Sequence, residues 1–175
     1  LLVWGTRGGS DCAGTVLCQN VTAIGAVGER GRLLGGNTRN VVVRDAHYTD
    51  GSSGIAEEDA PLNVDGALVR DSTFGNQQGL NLPTTPLAPV SISNSVFLDV
   101  NGPETSYLFN GGSTPASVVF SKTSAIWTGQ HGADRFLTSY GTDQSRIVLD
   151  RLLIQGLNGP NEFALGTDLS QVQKT

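Results

Sequence analysis

Three acids stand together at Glu57, Glu58 and Asp59, with Asp50 upstream and Asp65 downstream. In an extended segment, residues 57 and 59 share a face. A carboxylate pair placed that way could cleave a glycosidic bond by acid–base chemistry or hold calcium, although no cofactor is otherwise expected. The plainer reading is a solvated acidic loop ahead of Pro61, because the stretches that would lie alongside offer Asn81, Ser106 and Asn110 instead of further acids. A second group is His131, Asp134 and Arg135, on a stretch that also carries Gly129 and Gly132. Arg135 could act as the base of an eliminating reaction with Asp134 orienting it, or the two could form an Asp–Arg surface pair on a polar loop. Tyr107, Trp127 and Tyr140 lie in or beside the longer connections, where a ring can stack on a sugar face or fill the core.

Cys12 and Cys18 are the only cysteines. In an oxidising compartment they could close a small disulfide; in the cytosol they would be two thiols. No second Cys pair or nearby His completes a metal site around them. Asn20-Val21-Thr22 fits the acceptor pattern for N-glycosylation, which matters only in a eukaryotic secreted protein. His47 reads as a solvated turn residue. No nucleophile triad, phosphate loop, dinucleotide fingerprint or zinc spacing is present.

The elements that must position these residues are legible in composition and periodicity. The chain has 175 residues, the size of one domain, with 23 Gly and 15% charged residues. Few segments carry strong helix formers, and Gly and Pro punctuate short apolar stretches, as in a turn-rich all-β protein. The pattern apolar-x-apolar-x-polar-small-x-apolar recurs at residues 41–48, 67–74, 90–97, 118–125 and 147–154. Counted from the polar position, the steps from Asp45 through Asp71, Asn94, Lys122 and Arg151 are 26, 23, 28 and 29 residues. A second short apolar stretch follows each copy, at Ile55, Leu80, Leu108, Phe136 and Phe163. Two period-2 stretches per repeat, joined by Gly, Asn and Pro turns, predict a solenoid. Alternation then turns Val41/Val43 and Leu80/Leu82 inward, where equivalent residues stack at roughly the strand spacing of 4.8 Å. A leucine-rich repeat would need a Leu/Asn framework that is absent here.

Ile92-Ser93-Asn94-Ser95-Val96-Phe97, and the Asp versions of the same corner at Asp45 and Asp71, resemble the repeat of the pectin-lyase-like superfamily. The resemblance covers about residues 37–165. It implies an all-β fold, a right-handed parallel β-helix in the form of a single-stranded solenoid of about five to six coils. Residues 1–36 form an irregular leading segment with a degenerate first coil, residues 37–165 the repeats, and residues 166–175 a polar tail. The corner column departs from an uninterrupted run of Asn. Because Lys122 and Arg151 lie too far along to neutralise them, its Asp residues are expected to be partly solvent-exposed or to make turns by capping backbone N–H groups, a structural role set against a catalytic one.

The net charge of −5 argues against a nucleic-acid partner or an anionic membrane surface. No apolar run reaches the roughly 18–20 residues of a membrane span. The function expected from the resemblance is a non-catalytic or carbohydrate-binding β-helix module of an extracellular, adhesin-like or phage tailspike-like protein, so the location is extracellular or on a virion surface. The alternative is a secreted polysaccharide lyase or glycoside hydrolase with Glu57, Glu58, Asp59 and Arg135 as its catalytic set. Whether the chain is an enzyme is left open. The expected partner is a polysaccharide or cell-surface glycan, bound through Tyr107, Trp127 and Tyr140. Lateral association into a homo-oligomer is compatible with this reading.

Overall fold

Alternating apolar residues bounded by Gly, Asn and Asp produce short strands that pair with their equivalents one repeat away, and every such pairing is parallel. In the computed structural model the structure is described for residues 2–4, 17–28, 32–34, 36–48, 54–55, 62–74, 80–82, 89–101, 107–110, 117–129, 132–139, 146–158, 163–165 and 172–174. Among these, every regular element is a strand, and no helix is long and apolar enough to cross a membrane.

The largest sheet is parallel and curled, and it consists of two strips. The first strip contains β2 (Leu17–Gln19), β6 (Asn37–Arg39), β10 (Leu62–Asp65) and β13 (Pro89–Ser93). It continues through the first halves of β16 (Ser117–Ile126) and β18 (Arg146–Gln155) to β20 (Val172–Lys174), which lies within the stretch read as a polar tail. The second strip contains β1 (Leu2–Trp4), β3 (Thr22–Ile24), β7 (Val42–Arg44), the start of β11 (Leu68–Phe74), β14 (Val96–Val100) and the second halves of β16 and β18. The ten-residue strands β16 and β18 run through both strips and join them. A short third strip pairs β4 (Val27–Gly28), β8 (His47–Tyr48) and the end of β11.

A separate four-stranded parallel sheet stacks β12 (Leu80–Asn81), β15 (Tyr107–Asn110), β17 (Arg135–Ser139) and β19 (Phe163–Leu165). Finally, β5 (Arg32–Leu34) pairs with β9 (Gly54–Ile55). The Ile55 stretch therefore ladders with Leu34 and not with Leu80, and Leu80 aligns with Phe109 and Leu137, one residue beyond the spacing expected from Leu108 and Phe136.

Inward residues form columns. Leu62, Val90, Val118 and Ile147 stack in one, and Val64, Ile92, Phe120 and Leu149 in the next. Val43, Val69, Phe97 and Ala125 form the inward column of the second strip. Phe109 lies 5.0–5.2 Å by ring centroid from Phe97, Phe120 and Phe136, so the four-stranded sheet closes over the strips through an aromatic cluster. Edge-on contacts of this kind add about 0.5–1.5 kcal/mol each to the gain from burial. In β15 and β17 two successive residues are buried, Leu108 with Phe109 and Phe136 with Leu137, so neither face is open at those positions.

The strips turn at two corners, each marked by a residue in the left-handed region. Corner one holds Asn20, Asn40, Gly66, Asn94, Lys122 and Arg151, all with positive φ. Corner two holds Gly25, Asp45, Asp71, Asp99 and Gly156, with Trp127 at the equivalent place in β16's rung. From one corner to the next is five residues in every rung, from Asn20 to Gly25 through Arg151 to Gly156. The full step from rung to rung instead grows, from 20 residues at Asn20–Asn40 to 29 at Ser121–Asp150.

This register corrects the sequence alignment of repeats. Asp71 stands beside Asp99 and not Asn94, because Arg70 pairs with Leu98 and Ser72 with Val100. Asn94 stands beside Gly66, because Asp65 pairs with Ser93. The anomalous step of 23 was a change of corner. At Asp71 and Asn94 alike a left-handed residue is followed by a small one and, one place further on, by an apolar one, so Asp71-Ser72-Thr73-Phe74 and Asn94-Ser95-Val96-Phe97 look alike in sequence.

Candidate functional site

A left-handed residue swings its peptide groups out of the ladder, so a neighbouring N–H loses its backbone partner. Small hydroxyl side chains restore it. Ser72 donates to the Arg70 carbonyl at 2.7 Å and accepts from the Ala46 N–H at 3.1 Å. Ser95 repeats the arrangement at corner one, donating to the Ser93 carbonyl at 2.7 Å and accepting from the Ala67 N–H at 3.1 Å. Thr123 lies 3.1 Å from the carbonyls of both Ser121 and Ile92. All three side chains are buried. Where the small residue of the repeat is Ser or Thr, it is thus a hydrogen-bonding part of the corner.

The acids of the described residues are tied into the same corners. Arg44 Nε donates to Asp45 at 3.1 Å and Arg70 Nε to Asp71 at 2.6 Å, so both of these stacked carboxylates have a guanidinium one residue before them. Neutralisation comes from the adjacent residue, not from Lys122 or Arg151 further along. Backbone capping, expected of Asp45 and Asp71, is found instead at Asp99, which accepts the Thr128 N–H and hydroxyl, both at 2.7 Å. Asp65 accepts from Asn94 Nδ2 at 2.7 Å and Ser93 at 3.1 Å, with Arg39 3.6 Å away. Asp150 is held by two hydrogen bonds from Arg151 and one from Ser121. Those donors favour the ionised forms: Asn94 and Ser93 lower the Asp65 carboxyl below its ordinary value, and Arg151 and Ser121 bring Asp150 to about 2. Asp134 accepts from Asn158 Nδ2 at 3.2 Å.

Arg135 begins β17 as an exposed residue, and it makes no ion pair with Asp134 or with any other described acid. Arg39, Arg44, Arg70 and Arg151 each have a carboxylate. Arg135 and Tyr107 are Cα partners on adjacent strands, so two residues singled out for different reasons occupy one register position on neighbouring rungs. Trp127 sits elsewhere. Its ring is buried, its indole N–H donates to the Val100 carbonyl at 2.6 Å, and a Cβ at Gly132 would come within 2.6 Å of the ring. Trp127 closes the core where the chain leaves the second strip and presents no face for sugar stacking.

Cys18 is disulfide-bonded; Cys12 lies outside the described residues. So do Glu57, Glu58, Asp59, His131 and Tyr140. Among the described residues no three His, Cys, Asp or Glu side chains converge on a place that could hold a metal ion. The pairing of each corner acid was partly readable, since Arg44-Asp45, Arg70-Asp71 and Asp150-Arg151 are adjacent opposite charges at repeat spacing. Asp99's role was hidden by the slipped alignment.

No protein-family model matches this chain, and neither does any curated protein or solved structure.

Proposed function

We propose that the chain forms about five to six coils of a right-handed parallel β-helix and serves as a non-catalytic, glycan-binding module of an extracellular, adhesin- or tailspike-like protein. The observation that carries this reading is the state of the acids. Every described aspartate side chain has an intramolecular partner, and the two with shifted affinities for protons are shifted towards permanent ionisation, the wrong direction for a general acid. Right-handedness follows the strong rule for parallel crossovers within one sheet. The outward side of the first strip offers Asn37, Asn63 and Ser91 at one register position on three successive rungs, which suits a polymer of hydroxyl-bearing units. Arg135 beside Tyr107 adds a cation with no ion pair among the described residues, next to an aromatic position. The disulfide at Cys18 fits an oxidising location.

The test is retention of the intact protein on a panel of neutral and acidic glycans, with the same polysaccharides assayed for new reducing or unsaturated ends. Binding without cleavage is expected. Cleavage that is lost in Glu57→Gln or Glu58→Gln would replace this reading with the enzyme reading, and no retention on any glycan would remove the binding role.

A further inference from the structure

Corner one changes character along the molecule. Asn20, Asn40, Gly66 and Asn94 are residue types at ease with positive φ, but the next two rungs place Lys122 and Arg151 there, at φ 49° and 53°. Long unbranched side chains gain nothing locally from this conformation, and local backbone strain that persists is a pointer to function. Both residues are exposed. Ser121 and Asp150 are Cα partners, so the two cations follow on adjacent strands, about 4.8 Å apart along the stack.

We propose that Lys122 and Arg151 form an anion-binding corner that takes a carboxylate or sulfate group of a glycan chain; this rests on the glycan-binding reading above. Arg151 is held in place for it, because Asp150 engages its Nε and one Nη at 2.9 and 2.8 Å and leaves the other Nη without a partner among the described residues. Lys122 makes no ion pair among the described residues, so its charge is available. Asp150 is the carboxylate beside them, and it is already engaged by Arg151 and Ser121. Lys122 acts through space on both Asp150 and Asp65, so two committed anions stand against three cations, Lys122, Arg151 and Arg39. Asp65, two rungs down, is held by Asn94, Ser93 and Arg39.

The conformation makes the test unusually clean, since Asn is the natural occupant of this corner. Lys122→Asn should raise the melting temperature by about 2–4 °C while weakening binding, so lost binding cannot be blamed on misfolding. The intact protein and its Lys122→Asn, Arg151→Asn and doubly substituted forms are passed at low salt over immobilised heparin, polygalacturonate and dextran, with inorganic sulfate as competitor. The expected result is retention on one or both acidic polymers, about threefold or more weaker in each single variant, absent in the double variant, and competed by sulfate. Heparin and polygalacturonate separate sulfate from carboxylate as the preferred group. Equal retention of wild type and double variant on any glycan would overturn the corner and leave the glycan-binding reading standing. No retention on any of the three would overturn both. Charge-dependent retention on duplex DNA as strong as on heparin would overturn the assignment to glycans.

Discussion

Single hydroxyl groups carry the corners. Ser72 is buried and serves two backbone groups at once, so Ser72→Ala leaves the Ala46 N–H without a partner and returns nothing. The expected loss is about 1–3 kcal/mol, read as a lower urea midpoint with an unchanged slope. A drop confined to the slope would argue against it. The acids act through pH. Asp65 and Asp150 have folded-state affinities for protons below their unfolded values, so their contribution to stability is fully present above the ordinary carboxylate range and is lost as pH falls through the folded value. For Asp150 that window runs from the ordinary value of 3.8 down to about 2. Replacing Asp150 with Asn should flatten the acid limb of a stability–pH curve there, and curves that superimpose would show the carboxylate to be inert. Both groups are open to solvent, so the effect is modest and shrinks with added salt.

Among the elements, the junction of β16 and β18 is the tightest. Gly156 has φ +84°, and a Cβ there would press into the Trp127 carbonyl. Gly25, at φ +65° in the same column, has open space around it. The two alanine variants therefore separate conformation from contact: Gly25→Ala should cost about 1 kcal/mol and Gly156→Ala several times that, by chemical denaturation. Equal costs would show that the carbonyl simply moves aside. The strands and their inward columns were legible in the sequence, because period-2 alternation fixes which face is buried once a strand exists. Val41, Val43, Leu80 and Leu82 are all buried as alternation requires. The corner assignments were not, because two corners with one chemical requirement produce one sequence pattern. Trp127 was open to either reading from sequence: an indole in a connection looks the same whether it faces sugar or core, and the Val100 carbonyl that decides the matter is 27 residues away.

At the scale of the whole molecule, each rung touches its neighbours and little else, so stability is built by stacking and the pairings that create it are long-range. The site follows the same logic. Arg135 and Tyr107 belong to different repeats, as do Lys122 and Arg151, and only the register places each pair together. A sequence read repeat by repeat cannot see either. The five-residue interval between corners has a further consequence, for how such a chain can change. The segment from 40 to 45 behaves as a fixed gauge, while the rest of each rung absorbs all the variation between 20 and 29 residues. One residue inserted after Val42 would turn Val43 outward and Arg44 inward, and soluble expression of that variant should collapse. A peptide of several residues inserted between Asn110 and Ser117 should leave folding and melting temperature nearly unchanged. The chain thus keeps its tolerance for inserted material in one arm of the rung and its intolerance in the other, which makes the longer arm the place where new recognition can be grafted without disturbing the stack.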